Sequence, residues 1–110
     1  MNLENTKAQM RKGILEYCIL LNLSKKPSYA SDIIAELKTA QMIVVEGTLY
    51  PLLTRLKNDT YLSYRWEESV QGPPRKYYEL TENGKLFLEE LDSAWRELVE
   101  AINQLKNNNL

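Results

Sequence analysis

Gly47-Thr48-Leu49-Tyr50-Pro51-Leu52-Leu53-Thr54-Arg55-Leu56-Lys57-Asn58 is the stretch on which the fold turns. On a helical wheel Leu49, Leu52, Leu53 and Leu56 fall within about 100° of one another and must face a core. The opposite side carries Gly47, Thr48, Tyr50, Pro51, Thr54, Arg55 and Asn58, a polar surface of low relief with one arginine. This spacing predicts a helix over about Thr48 to Asn58. Pro51 has no N–H and fits best in a first turn, which puts the N-cap near Thr48 or demands an earlier, kinked start at Glu46.

Downstream, Leu62, Tyr64 and Trp66 alternate with Ser63, Arg65 and Glu67, the period of a half-buried strand. Val70-Gln71-Gly72-Pro73-Pro74 marks a loop, since its two prolines bar ladder bonds and Gly72 gives backbone freedom, and Arg75 to Leu80 reads as the return strand, so that Arg65, Arg75 and Lys76 bracket the tip. Upstream, a first helix is expected from about Asn5 to Asn22, with Met10, Ile14, Cys18 and Leu21 on its apolar stripe and Leu15 and Ile19 widening it. Pro27 ends it. A second helix should run from about Tyr29 to Ala40, capped by Ser28, with Ile33, Ile34 and Leu37 facing inward. Thr81 reads as the N-cap of a last helix extending to about Leu105, with Asn107 to Asn109 as a frayed tail. Along that helix Leu88, Leu91, Trp95, Leu98, Ile102 and Leu105 are spaced as a heptad seam, which a single helix projecting from a small domain cannot bury alone.

The 110 residues suit one domain with a modest core. With no histidine and a single cysteine, Cys18, neither a zinc site nor a Ser-His-Asp or Cys-His arrangement can be assembled from one chain. Cys18 sits in an apolar run and is expected to be a buried, inert thiol. The glycines are scattered, so there is no phosphate-cradling loop, and the paired carboxylates Glu67-Glu68 and Glu89-Glu90 are adjacent residues pointing apart. An enzyme is not expected, nor a cofactor or metal. No stretch resembles a secretory signal or a membrane span, so a soluble cytoplasmic protein without membrane attachment is expected. The net charge of −1 divides unevenly: residues 1–80 hold 11 Lys and Arg against 9 Asp and Glu, or +2, and residues 81–110 hold 3 against 6, or −3. A mildly basic body precedes an acidic helix.

Helix, helix, helix, hairpin, helix is the order of a winged helix-turn-helix plus a long C-terminal dimerisation helix. The fold is thus mainly α with a two-stranded wing, residues 1–80 forming the DNA-binding domain and 81–110 the dimerising helix and short tail. A slim polar third helix can enter a major groove roughly 12 Å wide, and a basic wing can reach neighbouring phosphates. Glu46-Gly47-Thr48-Leu49-Tyr50-Pro51-Leu52-Leu53-Thr54-Arg55-Leu56, Arg65-Trp66-Glu67-Glu68 and Gly72-Pro73-Pro74-Arg75-Lys76-Tyr77-Tyr78-Glu79-Leu80-Thr81 resemble, in this order and spacing, the PadR family of transcriptional regulators. Tyr29-Ala30-Ser31-Asp32-Ile33-Ile34 resembles the family's second-helix motif, with Ala30 where glycine is usual. The compact members of that family end, as here, in one long helix.

The resemblance implies a homodimeric sequence-specific regulator, usually a repressor released from a roughly palindromic operator by a small-molecule effector. It puts Thr48, Tyr50 and Arg55 on the recognition helix and Gly72, Arg75 and Lys76 in the wing. Together with Pro51, Thr54 and Arg65 from the pattern, these are the expected contacts to double-stranded DNA. The expected dimer seam is Leu88, Leu91, Trp95, Leu98, Ile102 and Leu105. Trp95 also matches a position from which some compact relatives present paired tryptophans to flat, often cationic compounds, so a planar aromatic effector is the second reading there, beside the simpler one of seam packing. Trp66, Tyr77 and Tyr78 are read as packing residues. Where the family tends to have Asp-Gly after the recognition helix, this chain has Asp59-Thr60, and Asn58 is expected to take the cap instead. The competing reading is a winged-helix interaction or ligand-sensing module without DNA binding.

Overall fold

The computed structural model describes residues 2–107. Its elements are α1 (Leu3–Lys12), α2 (Leu15–Lys25), β1 (Ser28–Tyr29), α3 (Ala30–Thr39), α4 (Glu46–Asn58), β2 (Leu62–Glu67), β3 (Arg75–Leu80) and α5 (Glu82–Asn107). The strands form one antiparallel sheet in the order β1-β3-β2, with Leu62 opposite Leu80 and Glu67 opposite Arg75 in the hairpin. This is a winged helix-turn-helix, mainly helical, with a long C-terminal helix. Of the tail expected at Asn107 to Asn109, Asn107 ends α5 and the rest lies outside the described residues.

The expected first helix is two helices. Gly13 closes α1, its N–H bonding back to Arg11, and Ile14 takes a non-helical conformation before α2 begins. Glycine is a poor helix residue, and here the weak point separates a polar helix with no buried residue from the apolar α2. Met10 is 72% exposed and Leu21 also faces out, whereas Leu15, Ile19, Leu20 and Leu23 are buried. The core stripe is therefore offset from the expected one. Cys18 is half-buried, and burial pushes its thiol pKa up, which disfavours the reactive thiolate.

A third strand was not foreseen. Lys26 is fully extended, as residues before proline prefer, and Pro27 delivers Ser28 and Tyr29 alongside Tyr78 and Tyr77 of β3. Ser28 consequently belongs to the sheet, and Tyr29 precedes α3, its N–H donating to the Asp32 carboxylate at 3.1 Å. The third of the expected helices, α4, takes the earlier of its two possible starts. Val45 is the N-cap and Pro51 lies inside the helix, so the carbonyl of exposed Gly47 is left to water.

Asn58 is still helical, and the left-handed residue after α4 is Thr60, at φ 70°. The Thr60 N–H bonds to Lys57 O and the Tyr61 N–H to Leu56 O, both at 3.0 Å, which closes a Schellman motif. The chain thus keeps the backbone that a glycine would serve, with a β-branched residue in it. Gln41, at φ 67°, closes α3 in the same way. Thr60→Gly is expected to stabilise the fold by about 1 kcal/mol, because the strain relieved exceeds the exposed hydrogen bond from Asn83 that is lost. Thermal melting at fixed protein concentration should rise by roughly 4 °C; an unchanged or lower midpoint contradicts this account of the turn.

One core joins α2, α3, α4, the sheet and α5, while α1 contributes no buried residue. Ile19 and Leu20 of α2, Ile33 of α3, and Leu49, Leu53 and Leu56 of α4 are fully enclosed, closed off by Leu62 and Tyr78 of the sheet and Leu88 of α5. Only the first half of α5 takes part. The radius of gyration is 16.2 Å, against about 13 Å for a compact chain of this length, and the longest axis is 60 Å.

Candidate nucleic-acid interface

The leucine face that buries α4 turns Glu46, Gly47, Thr48, Tyr50, Pro51, Thr54 and Arg55 outward. The hairpin stands beside the start of this helix, and pairing of β1 with β3 brings in the start of α3. Between them lies a groove of about 380 Å³ whose lining includes Ser31 of α3, Glu46 and Tyr50 of α4, and Trp66, Arg75 and Lys76 of the wing. Tyr78 forms the floor, and its burial pushes the hydroxyl pKa up, so the floor is neutral.

Directly opposed residues share a face of a sheet, and this sorts the wing's cations. Trp66 and Lys76 are paired, as are Tyr64 and Tyr78, and the Lys76 ammonium sits 4.6 Å from the Tyr64 ring and 5.4 Å from the Trp66 ring. On the other face the Arg75 guanidinium lies 3.9 Å over Tyr29, and Arg65 lies 4.8 Å over Tyr77. Each cation rests on an aromatic plate that costs it no charge, so Arg75 and Lys76 reach the groove preorganised. Arg65 is different: it donates to Glu67 at 2.6 Å, a bond that pushes its pKa up and sets a carboxylate against its charge.

Of the residues expected at the interface, Tyr50, Arg75 and Lys76 are brought together in the groove, while Thr48, Pro51 and Thr54 lie on the exposed face of α4. Arg55 is engaged by Glu16 of α2 in an ion pair, away from the groove. Arg65 stands on the wing's outer face, and Gly72 lies in an open loop where a side chain would meet only Ser69 at ordinary distance. Sequence reasoning missed Tyr29, Ser31 and Glu46. Asp32 three residues after Tyr29, and the position of Glu46 one residue before the glycine of the motif, were the signals available. Trp66 does not pack as expected. It is 62% exposed, held edge-on to Tyr64 at 5.9 Å, because the strand runs past the end of the core.

The seam on α5 divides in two. Leu88 is buried in the chain's own core and Leu91 packs against it, so neither is free in the way the heptad suggested. Beyond them Trp95, Leu98, Ile102 and Leu105 are exposed, with Val99 beside them. Trp95 is 40% exposed, 6.3 Å from the Tyr17 ring. Tyr17 itself donates to the Asp92 carboxylate at 2.5 Å, and this bond raises its pKa to about 12. Among the described residues no helix is long and apolar enough to cross a membrane.

Comparison with known proteins gives the family. Residues 19–90 match the model of the transcriptional regulator PadR-like family. A PadR-like transcription factor from Bacteroides fragilis is 67% identical, with 92% of this chain and 98% of that one covered and a TM-score of 0.78. A PadR family transcriptional regulator from Eggerthella lenta is 29% identical, covering 94% of this chain and 87% of its own, with a TM-score of 0.82. A PadR-like transcriptional regulator from Bacillus cereus is 36% identical over 88% of this chain and 95% of its own, with a TM-score of 0.76.

Proposed function

Because this chain belongs to the PadR-like family of transcriptional regulators, we propose that it binds a roughly palindromic DNA operator as a cytoplasmic homodimer and represses the adjacent genes. The observation that carries the reading is the groove, where an exposed recognition-helix face meets two cations already seated on aromatic rings. In this reading α4 enters the major groove, Thr48, Tyr50, Pro51 and Thr54 face base edges, and Arg75 and Lys76 hold phosphates. Arg55 and Arg65 add to the field around the site while their own carboxylate partners moderate it. The expected boundary stands as part of the proposal: residues 1–80 supply the DNA surface and 81–110 the dimerising helix. Selection of bound fragments from the genome of origin tests it. Enrichment of a two-fold-symmetric site upstream of a few genes is expected, and fragments enriched without common sequence contradict it.

The exposed stripe Trp95, Leu98, Ile102 and Leu105 supports dimerisation, since a contiguous apolar face on a projecting helix is stable in water only when covered. A two-fold axis along α5 would bring the two Trp95 indoles together as a site for a planar aromatic effector, whose rings or positive charge the indole faces attract. The effector would release DNA only by favouring a dimer whose recognition helices no longer match grooves about 34 Å apart. Titration of planar dyes should quench Trp95 in the wild type and lose affinity in Trp95→Ala; equal affinity in that variant returns Trp95 to seam packing.

A further inference from the structure

One group in the groove is left without work by phosphate binding. Glu46 is the first residue of α4, is exposed, and lines the groove with Tyr50, Arg75 and Lys76. Among the described residues the ion pairs use Glu4, Glu16, Glu67 and Glu82, and Glu46 takes part in none. An ionised carboxylate only accepts hydrogen bonds. Against a polyanion it gains nothing from phosphates, and what duplex DNA can offer it in the major groove is an exocyclic amino group. Adenine sets its N7 acceptor beside that amino group, where it opposes the second carboxylate oxygen; cytosine offers N4 with no ring acceptor beside it on the same base.

Resting on the DNA-binding reading above, we propose that Glu46 is a specificity-determining residue that selects cytosine at the base pair under the first turn of α4, by accepting from its N4 amino group. The first residues of a recognition helix are those that meet base edges, and Arg75 and Lys76 across the groove supply the attraction that holds a carboxylate against DNA. The selection acts largely by penalty. On guanine or thymine the carboxylate is desolvated without a donor, beside a backbone of its own charge, and on adenine the N7 acceptor opposes its second oxygen.

Selection from a randomised duplex library with the wild type, Glu46→Gln and Glu46→Ala tests this. The wild type should require cytosine at one position of each half-site. Glu46→Gln should reduce that preference by roughly tenfold or more and favour adenine, which an amide can bind through N6 and N7. Glu46→Ala should lose the preference at that position and keep it elsewhere. Melting curves confirm that the variants, altered at an exposed side chain, are folded. Unchanged base preferences at every position overturn the inference, including the case in which loss of the charge raises affinity uniformly. A wild-type chain that enriches no sequence fails the DNA-binding reading itself and is distinguishable on that ground.

Discussion

Leu98→Glu is expected to convert the protein from a dimer at low micromolar concentration into a folded monomer. Leu98 is 55% exposed within one chain and makes no part of its core, so the substitution leaves the interior described above intact. In the proposed dimer the same position lies in the seam, and a glutamate there, met by its counterpart across the two-fold axis, would place two like charges where water is excluded. A buried, unpartnered charge costs about 3 kcal/mol or more, which weakens association on the order of a hundredfold. Sedimentation equilibrium reads the mass, and circular dichroism shows whether the helices persist. A variant that remains dimeric, or a wild type that is already monomeric, removes α5 as the dimerising element.

Gly84→Ala is expected to destabilise the fold by about 3 kcal/mol, against the usual sign for such a change in a helix. Alanine normally gains about 1 kcal/mol over glycine in a helix interior. Here, however, the third residue of α5 is buried against the turn after α4, and a Cβ on it would overlap the Tyr61 carbonyl oxygen. That carbonyl cannot easily withdraw, because it accepts from the Thr81 N–H at 3.2 Å while the neighbouring Thr60 carbonyl accepts from the Thr81 hydroxyl at 2.6 Å. The methyl must therefore push α5 off the wing's base, an overpacking at the upper end of the range for cores, and a large part of a small domain's stability. Gly47→Ala is the control. Nothing lies within 4 Å of its added methyl, and it should be neutral or slightly stabilising. Urea denaturation at fixed protein concentration decides. Equal midpoints for the two variants would mean that α5 does not sit on Tyr61 as described.

The residues that decide the fold were readable because burial imposes a period. The α4 leucines, Ile33 and Leu37 of α3, and the alternation that puts Leu62 inward occupy the expected faces. Legibility failed where tertiary contact overrides local pattern. Ser28 and Tyr29 look like a helix start until β3 is present to pair with them, and nothing in a two-residue segment announces a strand. The turn after α4 keeps a left-handed residue although its sequence lacks glycine, since Leu56 and Tyr61 must both be delivered to their places whatever Thr60 prefers. The interface was half legible. Arg75 and Lys76 were visible as charges, but which face each leaves from depends on the hairpin register, and Arg55 could not be known to meet Glu16 from positions 39 residues apart. Likewise the seam's first two leucines obey the heptad while serving the chain's own core, because a helix that docks and then projects keeps one period along both halves.

If the groove between α4 and the wing is a DNA-binding surface, the salt dependence of binding to a fragment of the gene's own promoter tests it most directly. For the wild type, the logarithm of the binding constant should fall linearly with the logarithm of salt concentration, as phosphate contacts release counterions. Replacing Arg75 and Lys76 together by alanine should weaken all sequences similarly and lower that slope by up to about two. No binding by the wild type even at low salt, or a double variant with the slope of the wild type, would contradict the assignment of this surface to DNA.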